Sequence, residues 1–227
     1  MNIPTIYLVG FGPGNPELLT IKADKLLRET EVIFYDNLID EKALETYSAQ
    51  KIYVGKRKGR HSKNQDEINQ ILYTATSKYS HIVRLKGGDP LIFGRVGEEI
   101  EFLKQKGIHV EVVPGISSAS ACGISLTKRG VSSSVAYCTG HPLHYMNIPT
   151  ADTLVFFMGA SSLQEIMHVL LQKQWAPSTP VAIIYNASMP NEYISKYTIE
   201  SILSENIKGV SPSIVIIGRI VSSKNLF

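Results

Sequence analysis

His81-Ile-Val-Arg-Leu-Lys-Gly-Gly-Asp-Pro-Leu-Ile-Phe-Gly-Arg-Val-Gly-Glu-Glu99 decides how the chain is read. The apolar run His81–Leu85 predicts a buried strand, and the amphipathic stretch Val96–Lys106 predicts a helix. Between them, three glycines, a proline, an aspartate and an arginine share one loop. Gly87 and Gly88 keep backbone bare, so that a ligand can approach closely. A carboxylate and a guanidinium stand beside that backbone. The carboxyl end of a parallel strand is the usual place for a ligand in open α/β sheets.

The same alternation extends outward through the first half. Thr5–Val9, Glu31–Tyr35, Lys51–Val54 and His109–Val113 predict further strands. Leu18–Thr30 and Gln65–Lys78 predict helices, the second opened by a capping-box pattern at Asn64 and Glu67. Alternating strand and helix imply a parallel sheet covered on both faces. Pro114-Gly-Ile-Ser-Ser-Ala-Ser120 is small, polar and punctuated, and predicts a joint between domains 1–114 and 115–227. Beyond it, Ser134–Thr139, Thr153–Phe157, Val181–Tyr185, Tyr193–Thr198 and Ser213–Gly218 read as strands, and Leu163–Lys173 and Ile199–Asn206 as helices. The expected fold class is α/β, with two α/β domains and a ligand cleft between them.

Composition narrows the function classes. The chain has 227 residues, 44% hydrophobic and 19% charged, which supplies material for a substantial core. A net charge of +3 is too small to argue for nucleic acid as a partner, although basic residues gather at 56–60. Cys122 and Cys138 are too few for a disulfide framework and fit a reducing compartment. Neither a signal peptide nor a membrane span is expected, which points to the cytoplasm.

Other segments admit more than one use. Val9-Gly-Phe-Gly-Pro-Gly-Asn-Pro16 lies between strand and helix, but its G-x-G-x-G spacing is not the dinucleotide fingerprint. Pro13 and Pro16 also remove amide donors that a pyrophosphate would want. A tight turn that also touches a ligand is expected there. Asp36, ending the second strand, reads as a turn aspartate, a ribose binder or a carboxylate aimed into a cleft. Gly55-Lys-Arg-Lys-Gly-Arg-His-Ser62 reads as a solvated charge run or, given its glycines and strand-end place, as an anion site. His141 and His144 have no third ligand cluster nearby, so no metal is expected.

Taken together, these segments resemble the tetrapyrrole methylase family. The resemblance rests on Gly10-x-Gly-Pro-Gly-x-Pro-x-Leu-Leu-Thr20, Val83–Glu99, Val113-Pro-Gly-Ile-Ser-Ser118, Phe157-Met-Gly159, Tyr185-Asn-Ala187 and Pro212-Ser-Ile-Val215, in matching order. It covers nearly the whole chain, and the Gly55–Ser62 and Gln65–Asn69 segments narrow it to the uroporphyrinogen branch. The resemblance implies transfer of methyl groups from S-adenosyl-L-methionine to C-2 and C-7 of uroporphyrinogen III, giving precorrin-2 and S-adenosyl-L-homocysteine. Alternatives are methylation of another precorrin and a non-catalytic small-molecule or RNA binding module. Donor contacts are implied at Pro13, Gly87, Gly88, Asp89, Ile92, Ser117, Ser118, Met158 and Ala187. Asp36, Lys56 and Arg95 match catalytic positions. Arg57, Lys58, Arg60, Glu98 and Arg129 are expected to meet the tetrapyrrole. A homodimer is implied as well. Asn15 stands where the family usually has aspartate, Val96 where it has glycine, and Ser117-Ser118 where it often has threonine-alanine.

Overall fold

The alternation in the first half builds a five-stranded sheet whose strands all run parallel. In the computed structural model, which describes residues 4–55, 64–141 and 147–222, the strands are β1 (Thr5–Gly10), β2 (Val32–Tyr35), β3 (Gln50–Tyr53), β4 (His81–Lys86) and β5 (His109–Val113). Their order is β3-β2-β4-β1-β5. The helices are α1 (Ile21–Glu29), α2 (Gln65–Ala75) and α3 (Val96–Gln105). Each of the first two starts where a side chain takes up an orphan amide. Thr20 Oγ1 accepts from Ala23 N at 3.1 Å. Asn64 and Glu67 form a reciprocal capping box, as expected.

The sheet is covered on both sides because β-strand side chains alternate. Val9, Ile33, Val83 and Leu85 pack with Ala23 and Leu27 of α1. Ile6, Leu8, Val32, Phe34 and Ile82 pack with Leu72 of α2 and Leu103 of α3. Arg84 and Lys86 follow Ile82 at two-residue spacing, so they share its face. That places two cations among apolar residues, and something must balance them.

The second half folds around a mixed sheet. Its strands are β6 (Val135–Thr139), β7 (Thr153–Phe157), β8 (Pro180–Tyr185), β9 (Tyr193–Thr198) and β10 (Ser213–Ile217), in the order β6-β7-β10-β8-β9. β6 and β7 are parallel, and the other pairs are antiparallel. β7 and β8 therefore point the same way, with the start of β10 between their carboxyl ends. α5 (Leu163–Gln172) and α6 (Ile199–Ser204) cover one face through Ile166, Leu170 and Ile202. A four-residue helix, α4 (Ser118–Ala121), precedes the other face, which includes Ala119, Cys122, Ile184 and Ile216. Each fully buried Ile or Leu contributes about 1.5–3 kcal/mol. Cys122 and Cys138 are buried free thiols.

The chain divides into compact units Met1–Ser117 and Ser118–Phe227. The joint falls beyond Pro114, where the small, polar text begins. Gly115 is the reason: its backbone packs against Gly10 and Gly88, which ties Pro114–Ser117 to the first sheet. α4 was not legible as a helix, because four residues are too few to show a period. Among the described residues, no helix is long and apolar enough to cross a membrane.

Candidate functional site

The ends of β1, β4 and β5 meet through glycine. A Cβ on Gly10 would lie 2.5 Å from Gly115 N and 2.7 Å from Gly88 O. One on Gly115 would lie 2.3 Å from Gly88 O. Gly88 N donates to Gly12 O at 2.7 Å and Gly12 N to Gly88 O at 3.2 Å. The Gly-Pro-Gly loop and the β4 loop are thus zipped together, with Pro13 beside the contact. Asn15 does the turn work of an aspartate, its Oδ1 accepting from Glu17 N at 3.0 Å.

Bare backbone was expected at both Gly87 and Gly88, but the two differ. A Cβ on Gly87 would meet Leu38 Cβ at 2.7 Å. Gly88 holds φ +67° and has no atom within 4 Å of its missing Cβ. Gly88 is therefore the open position, and glycine suits its left-handed backbone. Next to it, Asp89 Oδ1 accepts from Leu91 N at 2.9 Å, and the Asp89 carbonyl accepts from Ile92 N at 3.1 Å. Asp89 Oδ2 has no partner among the described residues. A carboxylate oxygen beside open backbone suits a ligand that carries hydroxyl and ammonium groups.

The loop closes under backbone strain. Phe93 and Arg95 have φ of 53° and 55°, each costing about 1–2 kcal/mol in a residue with a Cβ. A Cβ on Gly94 would lie 2.3 Å from Pro90 O. Such strain gathers at functional sites. Arg95 holds Glu98 in a two-pronged grip, Nε to Oε1 at 2.8 Å and Nη2 to Oε2 at 2.6 Å. Arg95 thereby keeps the Glu98 carboxyl below its usual range. Both side chains are exposed, so the guanidinium already grips a carboxylate at the surface. Val96 sits in the core beneath them.

Asp36 follows β2 and meets β4 from the side. Arg84 Nη2 donates to its Oδ2 at 2.8 Å, and Leu38 N donates to its Oδ1 at 3.2 Å. Besides Asp36, Arg84 faces a second carboxylate, Glu99, which the sequence reading did not single out. Glu99 Oε1 accepts from Lys86 Nζ at 2.8 Å and Gln65 Nε2 at 3.1 Å, and lies 3.7 Å from Arg84 Nε. Burial lowers the Lys86 ammonium below the ordinary lysine value, and the Glu99 carboxylate opposes that. A signal for the cluster existed. Arg84 and Lys86 interrupt an apolar strand on one face, and Glu99 sits between the core positions Val96 and Leu103 of α3.

Lys56, Arg57, Lys58, Arg60 and His144 lie outside the described residues. Just before residue 56, Tyr53 OH donates to Asn37 Oδ1, and a Cβ on Gly55 would crowd both. Ser117 is buried at the end of the first unit.

In the second unit, Ser118 opens α4. Met158 follows β7 with φ 54° and is about half exposed. Ala187 follows β8, buried between Asn186 and Ser188, whose φ values are 49° and 70°. Both therefore lie at one end of the second sheet. Arg129 is exposed in the Lys128–Ser132 turn. Ser132 Oγ is 2.7 Å from Thr153 Oγ1, at the first residue of β7. That turn is thus toward the opposite end of the sheet, away from Met158 and Ala187.

Residues 5–203 match the family described as tetrapyrrole (corrin/porphyrin) methylases, and the chain belongs to that family. It is 41% identical over 233 residues to the uroporphyrinogen-III C-methyltransferase of Methanocaldococcus jannaschii, covering 96% of each chain. It is 40% identical to the siroheme synthase of Saccharophagus degradans, over 95% of this chain and 50% of that one. The chain spans about half the length of the siroheme synthases it matches. The crystal structure of uroporphyrin-III C-methyltransferase from Thermus thermophilus complexed with S-adenosylhomocysteine superimposes with a TM-score of 0.87 at 38% identity, covering 96% of this chain and 99% of that one.

Proposed function

We propose that the chain transfers methyl groups from S-adenosyl-L-methionine to C-2 and C-7 of uroporphyrinogen III, giving precorrin-2 for siroheme or cobalamin biosynthesis. The observation that carries this is a juxtaposition at one end of the first sheet. The open Gly88-Asp89 turn and the partly exposed Asp36 follow adjacent parallel strands, and Arg84 of one strand grips Asp36 of the other. The similarity to a methyltransferase of nearly equal length supports the choice of acceptor.

When bound, the donor supplies an electrophilic methyl group, and the reduced tetrapyrrole offers nucleophilic ring carbons. The protein's task is alignment, which can supply about 7–11 kcal/mol in favourable cases. Gly87, Gly88, Asp89, Ile92, Pro13 and Ser117 are assigned to the donor in the first unit, and Ser118, Met158 and Ala187 in the second. Asp36 accepts the ring proton that leaves after methylation, a role suited to a carboxylate only partly withdrawn from water. Lys56 and Arg95 either assist proton transfer or hold a substrate carboxylate. Arg57, Lys58 and Arg60 are assigned to the acceptor's carboxylates, which arginine grips in bidentate fashion; Arg129, expected to join them, is left out because its turn lies toward the other end of the second sheet from Met158 and Ala187. Glu98 sets the resting position of Arg95. The chain works as a cytoplasmic homodimer, a state that light scattering at micromolar concentration would test.

The test is methyl transfer. With methyl-labelled donor and uroporphyrinogen III, label should enter the macrocycle at both positions, with the fluorescence of the trimethylated product at high enzyme concentration. No labelled tetrapyrrole, or label only in an already methylated precorrin, would contradict the proposal.

A further inference from the structure

We infer that Glu99 is a positioning residue for Asp36, acting through the buried cations Arg84 and Lys86; this rests on the function proposed above. Arg84, Lys86 and Glu99 are 3%, 5% and 0% exposed, so three ionised groups are withdrawn from water together. Such groups persist only when paired. With Asp36 the cluster holds two cations and two carboxylates. Asp36 is the most open of the four to solvent, its side chain 24% exposed. Arg84 Nη1 donates to Leu85 O at 2.7 Å, which leaves Nη2 for Asp36. Lys86 is engaged by Glu99 and so is kept from Asp36.

The consequence follows from charge balance. Without the Glu99 charge, two buried cations share one carboxylate, and Lys86 turns to Asp36 as its remaining partner. The carboxylate that should receive the ring proton is then doubly held. Glu99 is fully buried and assigned to neither substrate, so its loss should act on turnover and not on the donor. A purely structural role is the rival reading, because the Lys86–Glu99 pair joins the two ends of the β4 loop. That role would weaken donor binding in step with turnover.

The experiment uses the full chain, with S-adenosylhomocysteine affinity measured by calorimetry and kcat measured on uroporphyrinogen III at saturating donor. Glu99→Gln should keep donor affinity within about 2-fold and lower kcat at least ~10-fold. Adding Lys86→Met removes the stranded cation, and should recover at least ~5-fold of that loss. Wild-type turnover in Glu99→Gln, parallel loss of donor affinity, or a double variant as slow as the single would each overturn the inference. If Glu99→Gln does not fold, the double variant, which strands no charge, decides alone: kcat within ~10-fold of wild type supports the inference and a larger loss overturns it. Absence of wild-type turnover would instead overturn the proposed function, and this inference with it.

Discussion

Gly10, Gly88 and Gly115 show how one residue type serves two needs at the same spot. Gly10 and Gly115 let three strand ends approach backbone to backbone, whereas Gly88 supplies a left-handed turn that opens outward. Substitution should separate the two. Gly115→Ala would place a Cβ 2.3 Å from Gly88 O, where no flexible side chain can yield. It should destabilise the fold by about 1–3 kcal/mol in urea denaturation, as overpacking does. Gly88→Ala meets no atom and carries only the left-handed backbone cost, about 1–2 kcal/mol. Its methyl group would nevertheless stand on the open face assigned to the donor. Donor affinity should therefore fall more in Gly88→Ala, relative to its stability loss, than in Gly115→Ala. Wild-type stability in Gly115→Ala would show that the strand ends are loosely packed.

At the scale of elements, β7 is anchored by a carboxylate just before it. Asp152 Oδ2 accepts from Ser133 N and Ser133 Oγ at 2.8 Å, and from Ser134 N and Ser134 Oγ at 3.2 Å. These bonds, the Ser133 amide first, hold its carboxyl below the ordinary aspartate value. The folded chain thus binds that proton less tightly than the unfolded chain. The stabilisation is fully present above the ordinary carboxylate range and is lost as the pH falls through the folded value. Chemical denaturation from pH 7 downward should show stability declining below about pH 4. Asp152→Asn should be less stable at neutral pH and decline less over the acid window. An unchanged acid slope would mean that the bonds are not kept in solution. Glu31 joins β2 to β4 in the same way, through His81 N and Ser80 N, and should add to the same decline.

For the whole molecule, what was legible followed periodicity. The first-half strands and helices announce themselves by alternation, and the β4 loop by its density of glycine, proline and charge. The direction of the second-half strands was not legible, because β10 pairs with β7 and β8 across long stretches of chain. The buried charge cluster escaped for the same reason. Arg84 finds Asp36 at a separation of 48 residues, and Glu99 finds Gln65 at 34. Local reading saw the charges but not their partners. Asp36 itself was legible as a candidate, though not as the exposed end of an ionic network.

The proposed function divides labour at one sheet end, giving the β4 loop to the donor and the carboxylate after β2 to the acceptor. Asp89→Ala and Asp36→Asn, compared on the same day for S-adenosylhomocysteine affinity and for single-turnover methylation of uroporphyrinogen III at saturating donor, test it most directly. Asp89→Ala should lose donor affinity by about 1–3 kcal/mol, the cost of an orphaned polar partner. It should then methylate at close to the wild-type rate once saturated. Asp36→Asn should bind the donor as the wild type does and methylate at least ~10-fold more slowly, about 1.4 kcal/mol of barrier. Loss of donor affinity in Asp36→Asn, or unchanged donor affinity in Asp89→Ala, would contradict the assignment of the two carboxylates.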